Sequence, residues 1–287
     1  MKKIGKIFCL LLGVFLVSGC NNLENATVYT TTYPIEYLAK TLYESHSTIQ
    51  SIYPDGTDVT TYELTDSQKD TYSQAEIFIY NGTTNEKEIA KDFSNSNRKL
   101  KVIDAAYSLK YKYGVEELWL NPSNYLMLAS NIKDNLEEQI GTKYINEEID
   151  AKYDELKERL SIMDADIRSI AKEASARNQN TIIASSNVFK FLEDYGFQVI
   201  SLEDYENGSA SLTTLKNNFN SGTYQYLLIK STEPTNELIT EITTQTNAKT
   251  ITVNMMNTLS EENRENNENY FTIMEDFINN LKTATNY

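Results

Sequence analysis

Between residues 145 and 174 the apolar side chains Ile145, Ile149, Tyr153, Leu156, Leu160, Met163, Ile167, Ile170 and Ala174 recur in steps of three and four, with no glycine or proline among them. Over about thirty residues that spacing makes one amphipathic helix of roughly 45 Å, and its apolar stripe must be covered along the whole length. A coiled coil would cover it with a second heptad helix. One isolated helix inside a chain that otherwise alternates strand and helix is read instead as a strut, over 144–177, packed along two lobes.

The alternation lies on both sides. Before the strut, β-rich runs at 27–32, 48–53, 76–80 and 100–103 alternate with helical spacing at 35–43, 65–73 and 85–93. Asn121-Pro122 then opens a helix to about Ile140, with proline where its missing N–H costs nothing, and Gly141 interrupts it. After the strut, strands at 181–185, 198–202, 224–230 and 249–253 alternate with helices at 188–195, 212–219, 237–246 and 270–282. Short apolar runs between amphipathic helices predict βαβ units on parallel sheets. The expected fold class is therefore α/β: two βα-alternating lobes with parallel sheets, 27–143 and 178–287, joined by one long rigid helix, with a cleft between the lobes.

The N-terminus sets the compartment. Lys2, Lys3 and Lys6 precede an apolar run from Ile7 to Val17 that is too short to span a bilayer, and Ser18-Gly19-Cys20 follows. Residues 1–19 are read as an export leader and Cys20 as a lipobox cysteine, acylated at the start of a tether over 20–26. The only other cysteine, Cys9, leaves with the leader, so no disulfide is expected. Two acyl chains would anchor the protein stably outside the bacterial membrane. Losing the three leader lysines takes the formal net charge from −15 to −18. That balance argues against nucleic acid as a partner and favours small cations.

Five segments, in order, resemble the zinc and manganese solute-binding proteins of ABC importers. Thr30-Thr31-Thr32-Tyr33-Pro34-Ile35-Glu36-Tyr37-Leu38-Ala39-Lys40 is similar to that family's first strand and helix. Pro54-Asp55-Gly56-Thr57-Asp58-Val59-Thr60-Thr61-Tyr62-Glu63-Leu64-Thr65 resembles its first ligand loop, Pro-x-Gly-x-Asp-Pro-His-x-Tyr-Glu-Pro-Thr. Ala75-Glu76-Ile77-Phe78-Ile79-Tyr80-Asn81-Gly82 matches its next strand and turn, Trp119-Leu120-Asn121-Pro122 its second ligand loop, and Phe189-Lys190-Phe191-Leu192 the helix after the third. The resemblance implies a monomeric solute-binding lipoprotein that delivers a divalent cation to a permease and ATPase.

At the ligand positions the chain departs from that pattern. Relatives place histidines and a carboxylate where this sequence has Thr60, Glu117, Ser186 (or Ser185 on a one-residue slip) and Asn254. One carboxylate and three neutral oxygens suit zinc poorly, since zinc favours imidazole and thiolate. Asp58, Glu63 and Glu116 could convert the set to an oxygen-rich site for a hard cation. The single histidine, His46, falls between the first helix and second strand and is expected at the solvent surface. Asp104 ends a strand and is expected to cap or be solvated.

Two further readings follow. The scaffold could serve as a surface adhesion lipoprotein, or the cleft could hold a non-metal or chelated solute against Tyr62, Trp119 and Tyr195, whose rings pair an apolar face with a polar tip. Catalysis is not expected. Ser185 and Ser186 lack a nucleophile elbow, one histidine would have to be the base, and no glycine loop cradles phosphate.

Overall fold

The computed structural model describes residue 23, residues 25–234 and residues 236–285. The expected leader, Cys20 and most of the expected tether lie outside the described residues, none of whose helices is long and apolar enough to cross a membrane.

In the first lobe, β1 (Ala26–Thr30), α1 (Tyr33–Tyr43), β2 (Ser47–Ser51), α2 (Asp66–Tyr72), β3 (Ile77–Tyr80), α3 (Glu86–Ser96) and β4 (Lys101–Asp104) alternate. The strands form one parallel sheet in the order β2-β1-β3-β4. Parallel sheets need cover on both faces, and the two-residue period of β3 supplies it. Ile77 and Ile79 enter the main core beside α1, while Phe78 and Tyr80 join Phe93 of α3 in a second cluster.

Then come α4 (Glu117–Leu120), α5 (Pro122–Ile140) and α6 (Lys143–Ala176). Asn121 caps α5, its Oδ1 accepting the N–H groups of Ser123 and Asn124. Gly141 closes that helix at φ +64°, where a Cβ is disfavoured. This lets the chain reverse into α6, the expected strut.

The second lobe repeats the plan. It holds β5 (Thr181–Ala184), a 3₁₀ segment at Asn187–Tyr195, β6 (Gln198–Ser201), α7 (Ala210–Asn220), β7 (Tyr226–Lys230), α8 (Glu237–Gln245) and β8 (Lys249–Val253), and ends with α9 (Glu261–Glu265) and α10 (Tyr270–Thr285). Its parallel sheet runs β6-β5-β7-β8. Leu228 and Ala184 face the main core, and Leu227 and Ile183 face a third cluster with α7 and α8.

One core joins the lobes. Val28 and Ile103 of the first sheet and Ile182 and Val253 of the second belong to the same buried cluster, with Ile149, Leu160 and Ile167 of α6 between them. The last helix returns to the first lobe, where the Tyr270 ring stacks on Tyr125 at 3.9 Å and its hydroxyl donates to the Trp119 carbonyl.

His46 departs from its expected position. It is tucked beside α6, with Nε2 2.6 Å from Glu148 Oε2 and a side chain only 12% exposed. Aromatic neighbours Tyr43 and Tyr144 on either side remove the ring from water. Asp104 acts as a cap: its Oδ1 accepts the N–H groups of Gly82 and Ala106.

Candidate functional site

In an open parallel sheet a ligand binds beyond the carboxyl ends of the strands, where the strand order reverses. Here the reversals fall between β1 and β3 in one sheet and between β5 and β7 in the other. Loops at the carboxyl ends of β1, β2, β3, β7 and β8 line a cleft with two compartments that share Val59 and Asn257. The larger, about 610 Å³, is lined from both lobes by residues that include Asp58, Ser231, Glu233, Asn254, Thr258 and Asn263. The smaller, about 240 Å³, is lined mostly from the first lobe and includes Thr32, Thr60, Asn81, Glu86, Glu116 and Trp119.

The cleft edges are stitched together across the lobes. Trp119 Nε1 donates to the Met255 carbonyl at 2.8 Å, and the Tyr33 N–H to the Asn257 carbonyl at 3.0 Å. The Gly56 N–H donates to the Leu259 carbonyl at 2.7 Å, and the Thr258 hydroxyl to the Thr57 carbonyl at 3.0 Å. Arg264 reaches from α9 to Asp55 at 2.9 Å and Glu36 at 3.0 Å.

The four family ligand positions are not gathered around one point. Thr60 lines the smaller compartment, and its N–H and hydroxyl both donate to Asp58 Oδ1, at 2.9 and 2.7 Å. Those two bonds, the hydroxyl's first, hold the exposed Asp58 carboxyl below its usual range. Asn254 lines the larger compartment, and its Oδ1 accepts the N–H of Met256. Met256 sits at φ +58°, a conformation that a side chain rarely adopts, so this bond helps hold a strained turn.

Glu117 and Ser186 are buried and line neither compartment. The Glu117 carboxylate accepts the N–H groups of Lys112, Tyr113 and Gly114, so it clamps the loop that precedes α4. Ser186 Oγ caps the 3₁₀ segment by accepting the Val188 N–H, and Ser185 Oγ donates to Glu233 at 2.8 Å. Among the described residues no three His, Cys, Asp or Glu side chains are grouped so that they could hold a metal ion.

The remaining candidates divide. Glu63 is exposed and lines neither compartment, whereas Glu116 lines the smaller. Tyr62 packs on Tyr53 and its hydroxyl accepts from Gln68 Nε2. Tyr195 spans the lobes, with its hydroxyl bonded to Asn121 and Asp164. Trp119 lines the smaller compartment although its ring is nearly all buried.

Sequence reasoning did not single out Thr32, Asn81, Glu86 or Glu233. Asn81 is fully buried; its Oδ1 accepts the N–H and hydroxyl of Thr83, which leaves its Nδ2 without a hydrogen-bond partner. Thr32 Oγ1 also has none. An unpaired buried polar atom costs about 1–3 kcal/mol. Burial pushes the Glu86 carboxyl up to about 7, with the Asp104 charge adding to the shift and the Asn81 N–H opposing it. The Asn81-Gly82 turn after β3 was the available signal. A Cβ at Gly82 would lie 1.9 Å from Asp104 Oδ2, so the close approach needs glycine.

Two parallel-sheet lobes that line one cleft and pack along one long helix define a two-lobed solute-binding scaffold. Residues 28–284 match the family described as zinc-uptake complex component A, periplasmic, and the chain belongs to it. It is 23% identical over 314 residues to the zinc-binding lipoprotein AdcA of Streptococcus pneumoniae, covering 99% of this chain and 61% of that one. The chain thus spans less than two thirds of that relative's length. The Zn(II)-bound ZnuA-like domain of S. pneumoniae AdcA has a similar fold, with TM-score 0.74 and 22% identity over 92% of this chain and 100% of that one. The metal-dependent lipoprotein YcdH of Bacillus subtilis gives 0.73 and 21% over 91% and 99%. The periplasmic zinc-binding protein TroA of Treponema pallidum gives 0.69 and 16% over the same shares.

Proposed function

We propose that this chain is the extracytoplasmic solute-binding lipoprotein of a metal-type ABC importer. It is held to the membrane through Cys20, acts as a monomer and delivers its solute to a permease driven by an ATPase. The observation that carries the reading is a cleft lined by loops of both lobes at the carboxyl ends of their strands, on the scaffold of a zinc-uptake family.

The metal site expected at Thr60, Glu117, Ser186 and Asn254 would be diverged and weakened, because in the fold these positions do not converge and Glu117 and Ser186 line neither compartment. To ligate a cation, Glu117 has to release three backbone N–H groups, and a carboxylate already holding several amide hydrogens gives them up at a cost. Neutral oxygens from the other three offset little of a small dication's dehydration.

Thermal unfolding of the full chain in detergent, stripped of metal and titrated separately with zinc, manganese and calcium, tests this. A saturable rise with one cation is expected, corresponding to about 2.7 kcal/mol at a hundredfold excess over Kd. Glu117→Gln should abolish the rise. No rise with any cation would sink the metal reading. A second reading, a non-metal solute, is favoured by the hydroxyl and amide lining of both compartments.

A further inference from the structure

Asparagine followed by glycine occurs twice, at Asn81-Gly82 after β3 and at Asn207-Gly208 before α7. The pair is chemically labile. The glycine backbone nitrogen can attack the asparagine side-chain carbonyl carbon, and glycine carries no Cβ to shield that approach. The two copies differ in what the fold does to the reacting groups.

At the first copy every group is held. Asn81 is fully buried, its Oδ1 accepts from Thr83 twice, and its own N–H donates to Glu86 at 2.9 Å. The Gly82 N–H donates to Asp104 Oδ1 at 2.9 Å. That bond keeps the proton on the nitrogen, because losing it would leave a nitrogen anion against a carboxylate. At the second copy Asn207 and Gly208 are both exposed. Among the described residues neither the Gly208 N–H nor Asn207 Oδ1 has a hydrogen-bond partner. Gly208 sits at φ +72° with open space where a Cβ would lie. The Asn207 side chain makes one bond, from Nδ2 to Glu237 Oε2 at 2.6 Å. A carboxylate only accepts, so this contact fixes which end of the amide is nitrogen.

We propose that Asn207 is a site of spontaneous modification, deamidating through a cyclic imide, while the fold preserves Asn81. The Gly208 nitrogen bonds to Asn207 Cγ and gives its proton to solvent. The Cγ–Nδ2 bond breaks, and Nδ2 leaves as ammonia. Water then adds to one of the two ring carbonyls and reopens the ring. Opening on the side-chain carbonyl gives aspartate; opening on the backbone carbonyl gives an isoaspartyl link, with the chain running through the side chain. The aspartyl product replaces an amide–carboxylate hydrogen bond with two carboxylates at Glu237, the first residue of α8. The isoaspartyl product lengthens the backbone two residues before Ser209, whose Oγ caps α7 by accepting the Leu212 N–H. Asn207 lines neither cleft compartment, so the proposal is independent of the solute.

The full chain in detergent is aged in mildly alkaline buffer, folded and in urea, and digested with trypsin at intervals. Asn81 falls between Lys69 and Lys87, and Asn207 between Lys190 and Lys216, so mass spectrometry reads them separately. In the folded chain Asn207 should convert at least about tenfold faster than Asn81, whose reaction has to wait for local opening. In urea, where both turns are released, the two rates should become comparable. Asn207→Gln, whose longer side chain would have to close a larger ring, should remove the signal at 207. A folded chain that keeps Asn207 intact, or converts both asparagines at one rate, overturns the proposal. A preference for Asn207 that persists in urea overturns it too, since the selection would then belong to local sequence and not to the fold.

Discussion

Glu86 begins α3 beneath the cleft, and its burial couples the fold to pH. Its carboxyl has an ordinary value of 4.5 and is pushed up to about 7 in the folded chain. Between those limits the folded state keeps a proton that the unfolded chain releases. The stabilisation is complete below about pH 4.5 and disappears as pH rises through 7, a loss of about 3 kcal/mol. Glu86→Gln, which can still accept the Asn81 N–H, should flatten this fall. Urea unfolding of both proteins across about pH 5 to 8 measures it, and parallel curves would refute the assignment. Of the candidate site, the loops were legible because Pro54–Gly56, Asn81-Gly82 and Asn121-Pro122 punctuate the chain visibly. The state of each side chain was not. Glu117 reads as a charged ligand in sequence, whereas its partners are N–H groups three to five residues away that converge only once the loop folds.

At the scale of elements, α6 was the most legible, since thirty-four residues average out local accidents and leave only the apolar stripe. Leu160 on that stripe is 1% exposed. Leu160→Ala should cost about 2–5 kcal/mol through lost burial and a residual cavity. Because the core it fills joins both sheets, unfolding followed by Trp119 fluorescence and by far-ultraviolet circular dichroism should still coincide. Separate transitions would show that the lobes fold independently. Shorter pieces were less legible. Residues 187–195 have helical spacing but form a 3₁₀ segment with the Ser186 cap at its start and Gly196, at φ +104°, at its end. The four residues of α4 are too few for any periodicity, so they read as part of a loop.

For the whole molecule, the relation between the lobes depends on the cleft edge as well as on the strut. Arg264 joins Asp55 and Glu36 and lies over the Tyr33 ring at 5.4 Å, next to the Tyr33 and Gly56 amides that cross between the lobes. Arg264→Ala should speed hydrogen exchange at Tyr33 and Gly56 severalfold more than at Ile167 in the shared core, because local opening exposes the edge first. Equal rates in the two proteins would assign the closure to the core alone. The sequence by itself determined the two alternating halves, the strut between them and the places where loops cross the strand ends. Periodicity and turn residues are local properties, so they survive in one dimension. Only the tertiary structure decided which side chains of those loops are consumed by their own backbone and which are buried without a partner beside the cleft. Glu117 and Thr32 differ in that respect because hydrogen bonding depends on where folding brings donors and acceptors, and a single sequence does not record those distances.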